Sequence, residues 1–339
     1  MSEKKLVVAV VGATGAVGRE MLKTLESRNF PATEVVPFAS ARSAGTKVPY
    51  GDSELVVREL KEDVFEGIDI AIFSAGGSTS EKYAPHAAAA GCIVVDNSSA
   101  WRMDERCPLV VPEVNPDALE GHNGIIANPN CSTIQMVVAL KPLHDAAGIR
   151  RVVVSTYQAV SGSGQKGISE LETQVRQMFN LKEPEVNVYP HRIAFNCIPH
   201  IDVFLENDYT KEEMKMVNEV HKVLHDDTIA VSPTTVRVPV MRSHAMSVRV
   251  KTEKPLEVAA VREVLSAMPG VVVCDDPQQM QYPMPLDTSF KNDVSVGRLR
   301  KDLYDPNALN LWISGDQIRK GAALNTLQIA EYILENDLL

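Results

Sequence analysis

One cysteine of the chain stands where a helix is expected to begin, in a setting that favours nucleophilic chemistry. Pro129 excludes helical geometry at the residue before it, and Asn130 is a good helix N-cap, so the apolar pattern of residues 131–140 predicts a helix that begins at Cys131. Unpaired amide N–H groups and the positive end of the helix dipole favour a thiolate in this first turn. Cys131 is therefore a candidate nucleophile, although free cysteines are more often small buried hydrophobic residues.

A histidine with a nearby arginine could supply the second half of a thiol active site. His244 follows Arg237 by seven residues, at a turn expected between two strands. An imidazole titrates near neutral pH and a guanidinium can grip a carboxylate, so the pair could combine acid–base chemistry with substrate anchoring. His221 and His225 have the i, i+4 spacing of a metal pair on a helix but no third ligand nearby, and the sequence predicts no metal site.

The first expected strand leads into a glycine turn typical of nucleotide binding. Residues 6–11 are a continuous apolar run, Gly12 and Gly15 follow it, and a helical segment comes next. Glycines between a strand and a helix allow a tight turn that places a pyrophosphate at the helix N-terminus. The spacing is GxxGxxG and not GxGxxG, so the strand–turn–helix context carries the prediction.

Residues after the second expected strand indicate NADP as the cofactor. A chain that prefers NAD is expected to place Asp or Glu here to accept from the ribose 2′-hydroxyl, whereas a 2′-phosphate requires a cation. This chain has Arg42 and Ser43 shortly after a strand expected near 35–39. We expect the planar guanidinium to bind the 2′-phosphate. The alternative is a solvated loop arginine.

The first part of the chain alternates strands with helices. Strands are expected at 68–73 and 92–95, with a helix at about 79–90 between them. This alternation with buried strands predicts an α/β fold with a Rossmann-type doubly wound parallel sheet. The polar loop 96–102 follows a strand at its carboxyl end, where such sheets bind ligands, so Arg102 is a candidate anion ligand.

The chain after Cys131 predicts a different architecture. A strand at 151–157 leads into a loop rich in glycine and hydroxyl groups at 158–167, which could contact a nucleotide. Further strands are expected near 229–238, 244–251, 294–300 and 309–314, with helices near 210–225 and 257–267. Runs of strands indicate an α+β domain. We predict a nucleotide domain at 1–130, to which a C-terminal helix at 318–339 returns, and a second domain at 131–317 that contains Cys131 and His244.

Length and charge limit the classes of protein that fit. A chain of 339 residues is expected to form two domains, and a net charge of −10 argues against nucleic acid as a partner. Five widely spaced cysteines without a CxxC pair suggest neither a disulfide framework nor a zinc site. The sequence has no signal-peptide pattern and nothing close to the roughly 20 apolar residues needed to span a bilayer. We expect a cytoplasmic protein with a small-molecule substrate and no membrane partner.

Six motifs taken in order resemble the aspartate-β-semialdehyde dehydrogenase family, in its compact bacterial branch. They are residues 12–18, 40–45, 98–102 and 128–133, Gln158 with Ser161 and Gly162, and Arg237 to His244. The resemblance runs essentially end to end. It implies NADPH-dependent reductive dephosphorylation of β-aspartyl phosphate to aspartate β-semialdehyde, on the branch leading to lysine, threonine and methionine. It also implies that residues 131–317 form the catalytic and dimerisation domain. The expected assembly is a homodimer, with a homotetramer as the alternative.

The resemblance also implies roles for individual residues at the substrate. Cys131 would form an acyl-thioester, Gln158 would orient the acyl group, and His244 would be the acid–base. Arg237 would bind the substrate α-carboxylate. Glu212 would meet the substrate amino group, with the adjacent Glu213 as the alternative.

Two further groups of residues are implied as binding residues. The phosphate would be held by Arg102, Lys215 and Asn130. The NADP contacts would come from Gly12, Thr14, Gly15, Ala16, Val17, Arg42, Ser43, Ser161, Gly162 and Gln317.

Three other interpretations stay open on the sequence. A reductase acting on N-acetyl-glutamyl phosphate would share the fold and the thiol chemistry, but that family has a Cys-Tyr-Pro pattern where this chain has Cys131, Ser132 and Thr133. A non-catalytic nucleotide-binding relative would be expected to have lost Cys131 or His244. A glyceraldehyde-phosphate-type dehydrogenase also pairs a cysteine with a histidine, but the loop at Arg42 and the Asn-Pro-Asn turn fit it poorly.

Overall fold

The computed structural model describes residues 5–339, which divide into two compact units. Unit 1 consists of residues 5–130 together with Ala322–Leu339. Unit 2 is Cys131–Gly321. No helix within residues 5–339 has both the length and the apolar character needed to cross a membrane.

The helices and strands follow one another in chain order. Up to residue 130 they are β1 (Val7–Val11), α1 (Ala16–Ser27), β2 (Glu34–Ala39), β3 (Lys47–Tyr50), β4 (Ser53–Val56), β5 (Arg58–Glu59), β6 (Ile70–Phe73), α2 (Gly77–Ala89), β7 (Ile93–Asp96) and β8 (Ile125–Ala127). From residue 131 they are α3 (Cys131–Ala147), β9 (Ile149–Gln158), α4 (Gly164–Phe179), α5 (Lys211–Leu224), β10 (Ala230–Arg237), β11 (His244–Thr252), α6 (Val258–Ala267), β12 (Val271–Val273), α7 (Pro285–Thr288), β13 (Val294–Lys301), β14 (Ala308–Gly315) and α8 (Leu324–Glu335).

Unit 1 is built on a parallel sheet with the strand order β5-β2-β1-β6-β7-β8. All five residues of β1 are buried, because both faces of the sheet are covered. Val8 and Val10 pack in one core with Met21 of α1, while Ala9 packs in a second core with Ala84 of α2. The strand order reverses at β1, which is where such sheets bind nucleotides. The predicted doubly wound parallel sheet is confirmed.

The C-terminal helix α8 belongs to the core of unit 1. Leu327 and Ala330 pack in the same core as Val8 and Val10. On the next turn of the helix, Ile333 packs with residues of β7 in another buried cluster. Unit 1 is therefore closed by residues from the far end of the chain.

Unit 2 is a mixed sheet with helices on it, in the strand order β10-β9-β11-β14-β13-β12. Strand β9 is parallel to β10 and antiparallel to β11, and β14 is antiparallel to both β11 and β13. Helix α3 contacts four strands of this sheet, which explains why every residue from Ser132 to Leu140 is buried. The predicted α+β architecture of this part of the chain is confirmed.

Two boundaries differ from the sequence-based prediction. The region predicted as one loop, 158–167, instead contains a 3-10 turn at Val160–Ser163 and the first turn of α4. The apolar residues of α4 recur at helical spacing, and they pack in a buried cluster (Ile168, Leu171, Val175 and Met178). The predicted helix at 318–339 begins later, because a π-helical turn at Arg319–Ala323 precedes α8.

Candidate active site

The thiol of Cys131 lies beside the imidazole of His244 in unit 2. Cys131 is the first residue of α3, and His244 is the first residue of β11, a central strand of the sheet. Sγ of Cys131 lies 3.5 Å from Nε2 of His244. The fold thus brings together a thiol at a helix N-terminus and an imidazole that are 113 residues apart in sequence.

His244 is fully buried and is held by two hydrogen bonds, one to its ring and one to its backbone. Nδ1 accepts a hydrogen bond from the amide of Ala159 at 3.0 Å, and the backbone carbonyl of His244 accepts one from the Ser314 hydroxyl at 3.1 Å. Burial lowers the pKa of His244 well below its usual value, and the positive charge of Arg237 lowers it further. The ring is therefore neutral at physiological pH.

Arg237 ends β10 and reaches the same place. Its Nη1 donates to the carbonyl of Ala159 at 2.6 Å, and its guanidinium lies 5.8 Å from the ring centre of Tyr189. Gly162 is packed so closely that a Cβ there would lie 2.8 Å from Nη1 of Arg237 and 3.4 Å from Cε1 of His244. Burial lowers the pKa of Arg237, and the charge of Glu212 acts in the opposite direction. A buried cation with a free edge can bind an anionic group strongly.

Glu212 connects two of the predicted substrate residues. Its Oε1 accepts from Nε2 of Gln158 at 3.2 Å, and its Oε2 accepts from Nζ of Lys215 at 3.0 Å. Lys215 also pairs with Asp202 at 2.9 Å. Burial alone would lower the pKa of Lys215, but the two carboxylates together outweigh it and the net pKa is raised. Lys215 is therefore charged.

Glu213 has a different task from Glu212. One of its oxygens accepts from the amide of Thr210 at 2.8 Å and closes a capping box at the start of α5. The other accepts from the amide of Thr235 at 3.0 Å. Both oxygens of Glu213 thus bind backbone, whereas those of Glu212 bind site side chains.

Gln317 supports the residue that precedes His244. Its Oε1 accepts from the amide of Ser243 at 2.8 Å, and its Nε2 donates to the hydroxyl of Ser161. Ser243 has a left-handed backbone with φ of 70°, a costly conformation for a residue other than glycine. The predicted cofactor residues Ser161 and Gln317 are therefore also the structural support of His244.

Some residues of this site were not found from the sequence. A Cβ at Gly321 would lie 2.7 Å from Cβ of Cys131, so this position must remain glycine. Gln135, one turn after Cys131 on α3, is fully buried, and neither atom of its amide has a hydrogen-bond partner among residues 5–339. The amide of Ala159 was missed because a backbone group carries no signal in the residue types.

The glycine turn of unit 1 has the shape that a nucleotide requires. Gly12 has φ of 86°, and a Cβ there would lie 2.5 Å from the carbonyl oxygen of Ser74, at the end of β6. Gly18 is packed on Gly12 even more tightly. Only glycine fits these positions, and the turn that they form leads directly into the N-terminus of α1.

A cavity of about 560 Å³ lies at this turn, at the carboxyl ends of β1, β2 and β6. Predicted residues that line it are Gly12, Thr14, Gly15, Arg42 and Ser43. Ala16 and Val17 are the first residues of α1. The Arg42 side chain is exposed and makes no hydrogen bond or ion pair with any residue between 5 and 339, so it is available to a ligand. The residues present fit an NAD(P) nucleotide.

Arg102 is a buried cation of unit 1. Its Nε donates to the carbonyl of Asn128 at 2.9 Å, and its Nη2 donates to the carbonyl of Asn97 at 3.0 Å. The Asn128 side chain is itself held by Asn97 at 2.7 Å and by Asn325 of α8 at 2.7 Å. Asn130, the last residue before α3, is also buried. The guanidinium is therefore fixed in position by backbone carbonyls.

Comparison with known proteins accounts for both units. Residues 7–122 match the family described as "Semialdehyde dehydrogenase, NAD binding domain", and residues 140–320 match "Semialdehyde dehydrogenase, dimerisation domain". The aspartate-semialdehyde dehydrogenase of Aquifex aeolicus is 55% identical over 336 residues, which cover 98% of this chain and 99% of that protein. The chain belongs to the aspartate-semialdehyde dehydrogenase family.

Other members of the family give the same result. The Bacillus subtilis enzyme is 51% identical over 342 residues, covering 98% of this chain and 99% of its own. The crystal structure of aspartate semialdehyde dehydrogenase II from Vibrio cholerae, complexed with ASA, is 46% identical with a TM-score of 0.95, covering 98% of this chain and 99% of that one. The Candida albicans enzyme, solved with NADP, is 24% identical with a TM-score of 0.76 over 99% of this chain and 100% of that one, and it shares the fold.

Family membership decides between the interpretations left open by the sequence. The chain has an NAD(P)-binding domain and a dimerisation domain of an oxidoreductase of amino-acid biosynthesis. The matches do not favour an N-acetyl-glutamyl-phosphate reductase or a non-catalytic relative.

Proposed function

We propose that the protein catalyses the NADPH-dependent reductive dephosphorylation of β-aspartyl phosphate to aspartate β-semialdehyde, with release of phosphate. The observation that supports this most directly is the Cys131 thiol at the start of α3, with Sγ 3.5 Å from Nε2 of His244 and with the buried Arg237 next to that imidazole. The product stands at the branch towards lysine, threonine and methionine.

Cys131 carries the covalent step. Its thiolate attacks the acyl carbon, the carbon–oxygen bond to phosphate breaks, and an acyl-thioester forms. When NADPH is bound it supplies the hydride that reduces this thioester. We assign the stabilisation of negative charge on the acyl oxygen to amide groups in the first turn of α3, which begins at Cys131.

The buried charges of unit 2 match an amino-acid substrate. We assign the substrate α-carboxylate to Arg237, the α-ammonium to Glu212 and the orientation of the acyl group to Gln158. Gln158 already donates to Glu212, so these two groups share one network. A cation and an anion, both nearly fully buried, are the pair that an amino acid with both charges requires.

The remaining cationic side chains are assigned to the binding of the phosphate and of the cofactor. We assign the phosphate to Arg102, Lys215 and Asn130. We assign the ribose 2′-phosphate of NADP to Arg42 and Ser43, because the Arg42 guanidinium lines the nucleotide cavity and has no hydrogen-bond or ion-pair partner between residues 5 and 339. The other assigned NADP contacts are Gly12, Thr14, Gly15, Ala16, Val17, Ser161, Gly162 and Gln317.

We infer a homodimer formed through the face of the unit 2 sheet opposite to α3. Residues 153, 155 and 157 of β9 point to this face, and Tyr157 packs there against Trp312 with ring centres 5.3 Å apart. Val153 is 41% exposed in the single chain. An exposed central sheet face with aromatic residues is typical of an obligate interface. Sedimentation of the wild type and of Val153→Glu tests this, since a dimer that persists in the variant contradicts the assignment and a tetramer would reveal a second interface.

One assay tests the reaction. The protein is incubated with aspartate semialdehyde, phosphate and either NADP or NAD, and nicotinamide absorbance is followed. Phosphate-dependent reduction with preference for NADP is expected. The five cysteines form no disulfide within residues 5–339, which suits a reducing cytoplasm. Absence of turnover, or turnover without phosphate, would refute the proposal.

Cys131→Ser should remove turnover and keep NADP binding, because a serine hydroxyl is a far poorer nucleophile.

A further inference from the structure

Arg237 is a buried cation with no carboxylate at ion-pair distance. It is 5% exposed, and within residues 5–339 its guanidinium makes a single hydrogen bond, to the carbonyl of Ala159, and no ion pair. Burial lowers the pKa of Arg237, because the charged form has lost its water. A buried charge is costly unless other groups replace that water. The question is therefore which side chain stabilises the guanidinium when no substrate is bound.

The aromatic ring of Tyr189 covers the guanidinium of Arg237. The central carbon of the guanidinium lies 5.8 Å from the ring centre, within the distance at which the negative face of an aromatic ring attracts a cation. Burial raises the pKa of the Tyr189 hydroxyl, and the charge of Arg237 opposes this less strongly. Tyr189 is therefore a neutral phenol at physiological pH and presents its ring, not a charge, to Arg237.

The hydroxyl of Tyr189 fixes the ring in this position. It donates to the carbonyl of Val160 at 3.1 Å, in the 3-10 turn that also contains Gly162. A Cβ at Gly167 would lie 2.5 Å from that hydroxyl and 2.4 Å from that carbonyl oxygen, so only glycine leaves room for the hydrogen bond. Gly162 packs closely on Nη1 of Arg237. The ring and the turn to which it is bonded thus contact the same guanidinium.

The backbone that carries Tyr189 is also held firmly. Glu170 of α4 is 6% exposed, and its carboxylate accepts hydrogen bonds from the amides of three successive residues, 187–189. Further along the same segment, Ile198 pairs with the backbone of Arg237 through two hydrogen bonds, at 2.8 and 2.9 Å. Residues 187–198 therefore contact Arg237 twice, through its main chain and through its side chain.

We propose that Tyr189 is a positioning residue for the substrate α-carboxylate, because its ring holds the guanidinium of Arg237 in the orientation that binds it. A carboxylate binds a guanidinium in the plane of the guanidinium, so a ring on one face does not compete with it. Ala159 takes one N–H of Arg237, and the remaining edge is left for the substrate. Tyr189 acts through Arg237 and takes no part in the covalent steps. The proposal deepens the function proposed above and rests on it.

A series of fluorinated rings tests the attraction directly. Tyr189→Phe keeps the ring, and phenylalanine with one, two or three ring fluorines at this position nearly keeps its shape while withdrawing electrons from its face. We expect the KM for aspartate semialdehyde to rise with each fluorine, while kcat and the KM for phosphate stay within about twofold of Tyr189→Phe. A KM that is constant along the series would overturn the proposal, because a ring that only fills space acts alike with or without fluorine.

Tyr189→Leu removes the aromatic face altogether. The KM for aspartate semialdehyde should rise by about five- to thirtyfold, the effect of losing a cation–π contact between buried groups. Tyr304→Leu is the control and should leave that KM unchanged, because Tyr304 is 93% exposed. An unchanged KM in Tyr189→Leu would contradict the proposal. If the unfolding temperature of Tyr189→Leu is lowered, the fluorinated series decides.

Combining Tyr189→Leu with Arg237→Gln shows whether Tyr189 acts through the arginine. Glutamine has no charge for the ring to attract, so adding Tyr189→Leu to Arg237→Gln should change kcat/KM for aspartate semialdehyde by less than about twofold. The same loss as in the wild-type background would show that Tyr189 contacts the substrate itself and would overturn the proposal. Failure of the proposed function is a separate result, because it would appear as a wild-type protein without phosphate-dependent turnover.

Discussion

Gly321 lies directly against Cys131. A Cβ built on Gly321 would stand 2.7 Å from Cβ of Cys131 and 3.1 Å from its Cα, both in the first turn of α3. Cys131 can therefore occupy its position only because residue 321 is a glycine.

Gly321→Ala is expected to displace the nucleophile. Overpacking of this kind costs about 1–3 kcal/mol, and a misplacement of about 1 Å at a reacting atom can cost about a hundredfold in kcat. Turnover and the rate of Cys131 alkylation measure the effect. Gly121→Ala is the control, because a Cβ at Gly121 meets nothing within 4 Å. Unchanged kcat in Gly321→Ala would show that the helix start can move freely.

Arg42→Ala is expected to weaken NADP binding by about 1.5–3 kcal/mol, which is roughly ten- to a hundredfold in Kd, with little effect on NAD. The reason is that NAD has no 2′-phosphate for the guanidinium to bind. Titration of both cofactors measures it, with Arg106→Ala as the control, since Arg106 pairs with Asp104 on the surface. Equal losses for the two cofactors would contradict the assignment.

Glu212→Gln and Glu213→Gln should separate substrate binding from folding. Glu212→Gln removes the charge assigned to the substrate ammonium, so the KM for aspartate semialdehyde should rise at least tenfold. The two oxygens of Glu213 accept hydrogen bonds from the backbone N–H groups of Thr210 and Thr235. Glu213→Gln replaces one oxygen with an NH₂ group that cannot accept, so the variant should lose about 1–3 kcal/mol of stability. Its effect on the KM should be smaller. The KM for aspartate semialdehyde and the thermal unfolding temperature are measured for both variants. A raised KM in Glu213→Gln alone would mean that Glu213, and not Glu212, binds the substrate ammonium.

Replacing each of two buried glutamines of unit 2 by methionine should change the stability of the fold in different directions. The amide of Gln174 donates to Glu170 and to the carbonyl of Glu185 and accepts from the amides of Ile193 and Ala194 at 3.0 Å each. Gln174→Met therefore leaves buried backbone donors unpaired, at about 1–3 kcal/mol each.

The Gln135 amide has no such partners, so Gln135→Met should leave the unfolding temperature unchanged or raise it. Denaturant unfolding of both variants is the measurement. A large destabilisation by Gln135→Met would mean that its amide is satisfied in solution.

Stability should depend on pH through His244. The pKa of His244 is lowered in the folded protein, so between its unfolded value and its folded value only the unfolded chain binds the proton. Stability is thus fully present above about pH 6.5 and is lost as pH falls below it, by up to about 1.4 kcal/mol per pH unit. His244→Gln should lose less stability than the wild type between about pH 7 and about pH 5. Equal losses would show that His244 is protonated in the folded state.

Much of the fold follows from patterns that the sequence displays. Strand β1 was predictable because a strand that is buried on both faces has a continuous run of apolar residues. The strand expected at 244–251 was found as β11 and was predictable from its residue types in the same way. Helix α4 was missed because the glycines at its start suggested a loop. Its apolar face becomes obvious only once the buried cluster that it joins is known.

The site was predictable only in part, for a physical reason. Cys131 and His244 could be singled out by their chemistry, but the amide of Ala159 and the space at Gly321 depend on the tertiary fold and leave no such trace. The choice between Glu212 and Glu213 was also beyond the sequence. Neighbours on a helix point about 100° apart, and which of the two directions faces the site is set by packing.

The closure of unit 1 by α8 has a consequence for synthesis. At about 5–20 residues per second, a ribosome needs roughly ten to forty seconds to translate the residues of unit 2 that separate Asn130 from Ala322. Throughout that time the apolar surface that Leu327, Ala330 and Ile333 will cover is open to water. The nascent chain thus carries an exposed hydrophobic patch until α8 has been made. This makes it a natural client for chaperones, and a chain terminated before α8 is expected to be prone to aggregation.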